Sequence, residues 1–413
     1  MLNSGGYGPR SIEVIVDLAD LDFFEFCDVT AVFDTLRREQ PVYWNASAET
    51  GGFWALTRYD DVAWAWKQPK LFSSEWGNML RLHGRKDPAA GKMMVVTDPP
   101  RHTRLRALLN QGFQPRVVEH TKLAVQLYVS DLLDLVAAKG EVDFAVEVAA
   151  KLPLCVTCDM IGIPQTDWAL VADLSTSSLA GEDPEYRRPS ASESALQSVN
   201  TELLFYFLDL IAQRRREPAD DLVSALVDLR LDGGRLSDEE IALNCFSFLL
   251  GGNETTRHAA TGGLLVLMER PEEMNLLATN EACLSTAVEE VLRWTTPAMH
   301  VLRVALQDVD VGDHRIRAGQ TVTLWSISAN RDEAVFTEPD RFDLYRTPNR
   351  HLTFGIGNHY CIGAHIARLE LRQLFRELAL RQFRFHLIEN PVRLRSNFLS
   401  GFKHLKLRLV DSR

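Results

Sequence analysis

At 413 residues, with 46% hydrophobic and 24% charged residues, the chain suits one large domain or about two or three ordinary ones around a sizeable core. A net charge of −11 argues against general nucleic-acid binding. Charges break every apolar run well short of the ~18–20 residues of a membrane span. The opening Met1-Leu-Asn-Ser-Gly-Gly-Tyr-Gly-Pro-Arg10 holds no signal-peptide core, so a cytoplasmic protein without membrane contact is expected.

Strand signals are few and short. Val42-Tyr-Trp and Phe53-Trp-Ala-Leu-Thr come first, followed by Arg303–Val311, Thr321-Val-Thr-Leu-Trp and a closing pair at Phe383–Leu387 and Leu405–Leu409. The chain between them is mostly helix-like, with no repeat, hinge or low-complexity linker. The expectation is a mainly α fold with small β-sheets, a single domain over residues 1–413.

Asp98-Pro-Pro-Arg-His-Thr-Arg-Leu-Arg106 reads as a helix start with proline in the first turn. His102 and Arg106 lie four apart and share a face, which suits a carboxylate or phosphate, although such pairs are ordinary on solvated helix faces. The 6 cysteines are scattered, so disulfides are not expected. Cys155 and Cys158 lie in Leu152–Pro164, read as a buried helix ending at Gly162 with both thiols in the core.

The clearest helix begins at the capping box Ser237-Asp-Glu-Glu240 and runs to Arg270, before Pro271. It spans about 48 Å at 1.5 Å per residue and should cross the whole domain. In its middle, Gly251-Gly-Asn-Glu254-Thr255-Thr interrupts an apolar run. Two interior glycines cost about 1 kcal/mol each, and a local rule broken mid-element points to a functional or strained site. Glu290-Val-Leu-Arg293 is an i, i+3 pair in an apolar helix, while Asn330-Arg-Asp and Glu338-Pro-Asp-Arg341-Phe342 read as charged surface turns.

Phe354-Gly-Ile-Gly-Asn-His359-Tyr-Cys361-Ile-Gly363 leads straight into a helix-like run, Ala364–Leu380. Glycines allow close backbone approach, and a helix N-terminus favours negative charge, so the loop suits a thiolate. That thiolate could serve as nucleophile, metal ligand or cofactor ligand.

The Phe-Gly-x-Gly-x-His-x-Cys-x-Gly loop follows Gly-Gly-x-Glu-Thr-Thr, Glu-x-x-Arg and Pro-x-Arg-Phe in order, and in this the chain resembles the bacterial soluble cytochrome P450 family along nearly its whole length. The resemblance implies a single large helical domain whose long central helix crosses the haem. It makes Cys361 the axial thiolate of haem b (iron protoporphyrin IX) and the metal ligand, with Phe354 packed beside the sulfur. His102, Arg106, Arg303 and His359 would hold the propionates. Glu254 and Thr255 match the acid–alcohol pair that delivers protons for oxygen activation, with the glycines at 251 and 252 letting the helix distort. Glu290, Arg293 and Arg341 match a structural triad.

For the substrate, by region, the candidates are the segment Trp76–Met94 with Trp76 and Met94 themselves, the stretch Leu174–Arg188, Phe246 and Leu250, the segment Thr296–Leu302 with Met299 and His300, and Phe398-Leu399. A mid-sized, mostly apolar molecule with some polar handle is expected. The implied activity is that of a haem-thiolate monooxygenase using O2, with electrons from a separate ferredoxin and its reductase in specialised metabolism. Ferredoxin would dock near Arg104, Arg116, Arg350 and Arg368. Rival readings are an H2O2-driven peroxygenase and a non-catalytic haem sensor or scaffold. The substrate's identity and the oligomeric state stay open.

Overall fold

The helix Asp238–Met268 organises the molecule. At its start the Ser237 hydroxyl accepts from the Glu240 N–H at 3.2 Å, and the Glu240 carboxylate accepts from the Ser237 N–H at 2.9 Å, so the expected capping box forms. The helix is buried on most sides because it joins two apolar cores. Ile241–Leu250 contributes to a core with the helices Lys151–Ile161, Trp168–Ala180 and Glu193–Arg216. Ala259–Leu267 contributes to a core with Pro115–Lys139, Glu281–Thr295 and Ala364–Leu380. Each fully buried leucine along it, such as Leu249 or Leu264, contributes about 1.5–3 kcal/mol. The computed structural model describes residues 16–47, 51–112, 115–187, 193–231 and 234–410.

The two ends of the chain meet in a five-stranded sheet ordered Val42–Asn45, Phe53–Leu56, Thr321–Trp325, His300–Ala305, Phe72–Ser73. Thr321–Trp325 runs parallel to Phe53–Leu56, and the other pairs are antiparallel. The predicted strand Arg303–Val311 is two elements, His300–Ala305 and Val309–Val311, and the second forms a hairpin with His314–Ile316. The closing pair, Arg384–Leu387 with Lys406–Val410, gains Glu141–Asp143 as a third strand. That strand and Phe72–Ser73 are too short to leave a pattern in the sequence.

The central helix continues without a break through Gly251 and Gly252. The missing side chains at these two positions have separate consequences. A Cβ at Gly252 would lie 2.8 Å from Thr157 Oγ1, so this glycine lets the helix Lys151–Ile161 pack closely. A Cβ at Gly251 would meet nothing within 4 Å, because this glycine faces a cavity.

Glu290 and Arg293 are both fully buried and pair through two bonds of 2.8 Å. The third member is Arg346, not Arg341. Arg346 Nε donates to both Glu290 oxygens at 3.2 and 3.1 Å, and its other nitrogens donate to the carbonyls of Thr337, Glu338 and Arg341. The Arg341 side chain is exposed on Glu338, and only its backbone carbonyl enters the network. Asn349 Nδ2 and the Asp343 N–H also donate to Glu290, leaving this buried charge well satisfied.

Cys158 is buried in the helix Lys151–Ile161, which ends at Gly162 with φ of 96°. Burial pushes the Cys155 thiol up to about 11 and the Cys158 thiol higher still, so both behave as core residues. Among the described residues no cluster of three or more His, Cys, Asp and Glu could hold a metal, and no helix is long and apolar enough to cross a membrane.

Candidate active site

Cys361 sits at the mouth of the helix Ala364–Leu380, where its loop turns through Gly355 and Gly357 at φ of 63° and 72°. A side chain at Gly355 would run into the Trp66 ring, 2.8 Å from its nearest carbon. The Cys361 N–H donates to the Phe354 carbonyl at 2.9 Å, which closes the loop. The cysteine is open to an internal cavity of about 290 Å³, which also reaches Phe354, Gly363, Gly251 and Thr255. Depth in the protein mass pushes the thiol up, while the Gly363 N–H, Arg106 and Arg368 pull it down. The net direction is upward, so the protein alone does not hold a thiolate.

The four residues expected to grip an acid group do converge on this cavity's edge. The His102 and His359 rings lie 4.1 Å apart by centroid. Arg106 donates to the Asn358 carbonyl at 3.1 Å, and Arg303 lies 4.9 Å from the Trp66 ring. Among the described residues neither guanidinium pairs with a carboxylate. His102 is 1% exposed, and both its ring nitrogens lack a partner. Its pKa is lowered to about 4 by burial, then by Arg106 and Arg303. Burial and the same cations depress His359 further, to about 2. Trp66, not singled out from the sequence, adds a buried Nε1–H without a partner on the same cavity. This set of donors lacks its anion.

Thr255 lines the same cavity as Cys361 from the central helix, and its hydroxyl donates to the Gly251 carbonyl at 2.8 Å. Glu254 does not line the cavity. Its carboxylate is buried off the cavity-facing side of the helix, accepting from Thr176 Oγ1 at 2.9 Å and from Arg257 at 3.3 Å. Arg257 is anchored in turn by the Tyr186 hydroxyl and the Lys403 carbonyl. The stretch Leu174–Arg188 thus meets this network through Thr176 and Tyr186 rather than the cavity. Arg188 and the Arg116 side chain lie outside the described residues.

Two of the seven substrate candidates, Met94 and Phe398, line the cavity. Trp76 and Met299 pack into the N-terminal core instead. His300 is fully buried against Trp325, bonded to the Asn397 carbonyl and the Leu80 N–H. Strand alternation explains these corrections, because Val301 and Arg303 face the cavity and His300 and Leu302 face away. On the central helix, Phe248, Gly251, Gly252, Thr255 and Ala259 share the cavity side, and Phe246 and Leu250 pack into the neighbouring core. Asn78 and Ala298, within the expected segments Trp76–Met94 and Thr296–Leu302, also line it, whereas Val95 and Ser247 lie outside every segment singled out for the substrate from the sequence. Glu370 was missed too; it is 1% exposed, lines the cavity and lies well above the usual carboxylate range through burial.

The cavity fits a planar group with carboxylate edges. Cys361 supplies a soft ligand on one wall, the orphaned donors wait at one edge, and a Cβ at either Gly251 or Gly363 would meet nothing within 4 Å. The comparisons agree. The Cytochrome P450 family model matches residues 282–407. Putative cytochrome P450 126 of Mycobacterium tuberculosis is 38% identical over 95% of this chain and 97% of its own length. Methyl-branched lipid omega-hydroxylase of the same species is 37% identical over 97% of this chain and 96% of its own. The crystal structure of P450 OxyD, described as involved in the biosynthesis of vancomycin-type antibiotics, has a TM-score of 0.85 at 36% identity, covering 96% of this chain and 99% of that one.

This chain therefore belongs to the cytochrome P450 family, with its fold. It is a monooxygenase, an oxidoreductase that carries haem iron and incorporates oxygen from O2 into a small molecule with electrons from a redox partner.

Proposed function

We propose that the chain works as one cytoplasmic domain over residues 1–413, holds haem b through Cys361, and oxidises a mid-sized, largely apolar metabolite with electrons from a separate ferredoxin and its reductase. The observation that carries this reading is a thiol and an alcohol, Cys361 and Thr255, lining one cavity beside orphaned donors. When bound, the haem supplies the oxygen-activating redox chemistry, and a thiolate ligand favours that use over reversible oxygen carriage.

The chain's own residues would do the rest. His102, Arg106, Arg303 and His359 would bind the propionates by charge-assisted bonds, with Trp66 adding a further N–H. Thr255 would hold a proton at Oγ1, and Glu254 would replace it after a side-chain rotation towards the cavity. Met94, Val95, Phe248, Ala298, Val301 and Phe398 would exclude water from the reacting carbon, and Asn78 or Ser247 would meet a polar handle. The roles of OxyD in antibiotic biosynthesis and of the lipid hydroxylase both suit such a wall, and the first favours specialised metabolism. For ferredoxin docking Arg104 and Arg350 are exposed, whereas Arg368 is already held by Glu289 at 2.6 and 2.8 Å.

The test compares product formation with a ferredoxin system against that with H2O2, across lipids, steroids and aromatic metabolites. Thr255→Ala should retain the haem spectrum and electron uptake but divert electrons to free peroxide. Better turnover with H2O2 than with ferredoxin would make the protein a peroxygenase, and fully coupled product from Thr255→Ala would remove the relay role.

A further inference from the structure

Towards the C-terminal end of the central helix lies a second cavity, of about 350 Å³. Exposed Asp28, Glu269 and Arg393 stand at its mouth, and buried His258 and Leu399 lie on its inner wall beside Gly401. Its polar lining and size suit a cluster of water molecules connected to solvent. No part of the proposed chemistry above uses it.

His258 makes this cavity more than a surface cleft. The ring is 1% exposed, and neither nitrogen has a hydrogen-bond partner. Nδ1 packs so closely over Gly401 that an added Cβ there would lie 2.1 Å from it. Nε2 stands 3.8 Å from the Glu254 carboxylate, one helical turn back. The other partners of that carboxylate are Thr176, Arg257 and, at 3.5 Å, Asn253 Nδ2. Burial and the neighbouring Arg257 guanidinium depress the imidazole to about 3, so it stays neutral, with one nitrogen free to accept and the other to donate.

We propose that His258 is a positioning and relay residue that carries protons from the second cavity to Glu254. Nδ1 takes a proton from cavity water as Nε2 gives its own to the carboxylate, after the two groups close by about 1 Å to hydrogen-bond distance. The ring is neutral before and after, solvent replaces the proton that the water gave up, and rotation of the ring with exchange of its proton with cavity water, lost from Nδ1 and regained at Nε2, restores the starting tautomer. The inference rests on the reading of Glu254 and Thr255 as the proton-delivering pair.

His258→Phe keeps a ring of similar shape and removes both nitrogens. In the haem-loaded protein with its ferredoxin system it should lower coupled turnover about tenfold or more, raise the peroxide fraction and enlarge the solvent isotope effect. Thr30→Trp, which narrows the cavity from a half-buried position on its wall, should act in the same direction without touching the relay. A second readout needs no turnover: in the reduced, CO-bound protein, 15N-histidine NMR should show the His258 ring N–H exchanging with water, and Thr30→Trp should slow that exchange at least tenfold. Wild-type coupling in His258→Phe, or a ring N–H that does not exchange, overturns the proposal. If Glu254→Gln uncouples and His258→Phe does not, the cavity route fails and the acid–alcohol reading stands. If Glu254→Gln is also fully coupled, that underlying reading falls.

Discussion

The sulfur of Cys361 feels three donors or cations pulling its pKa down and the protein mass pushing it up, and the mass prevails. A nucleophilic cysteine needs the opposite balance, and a metal's charge, as proposed above, would supply what a thiolate here lacks. Cys361→Ser should therefore abolish the red-shifted CO band of the reduced protein, and persistence of that band in the difference spectrum would refute the ligand assignment. Glu370 gives a pH test. Its folded pKa is raised, so unfolding releases a proton at any pH between the unfolded value of about 4.3 and the folded value, and stability falls as pH rises through that window. Glu370→Gln removes this slope. Chemical denaturation should find the two proteins converging near pH 4, with the variant gaining up to about 1.4 kcal/mol per pH unit above it. Cys361 was legible because a loop, its glycines and a helix start are consecutive in sequence. Glu370 was not, because an isolated glutamate on an amphipathic helix looks like any surface acid.

At the scale of elements, the sequence located the central helix by its capping box and length but not which residues face the cavity. A helix buried on most sides has no polar stripe to mark its orientation, and Phe246, Leu250 and Phe248 look alike. The strand His300–Ala305 hid its facing for the same reason, since its residues are buried on both sides. The paired glycines separate the two influences experimentally. Gly252→Ala would press a methyl onto Thr157, and the overpacking exceeds the helix-propensity gain, for a net loss of about 1 kcal/mol. Gly251→Ala meets open space, so it should gain up to about 1 kcal/mol while narrowing the cavity. Thermal melts compared with substrate-binding spectra would distinguish these outcomes.

At the scale of the molecule, Glu290 ties together segments far apart in the chain. Its partner Arg293 was readable from spacing along one helix, whereas Arg346 lies just beyond the charged turn Glu338–Phe342 and carries no local signal that singles it out. Arg346→Ala takes one of two guanidinium partners from a buried carboxylate, leaves the carbonyls of Thr337, Glu338 and Arg341 without its donors, and should cost about 3 kcal/mol. Arg341→Ala should stay within about 0.5 kcal/mol in the same denaturation assay.

The bridge between Ala298 and Leu399 has a different consequence. Ala298 and Phe398 line the cavity at Cys361, while their neighbours Met299 and Leu399 line the second one. A single ply of backbone partitions two chambers. Trimming Met299 and Leu399 together would thin that partition, giving laboratory evolution a direction in which the site could lengthen for extended molecules without disturbing the thiol, the alcohol or the cationic edge.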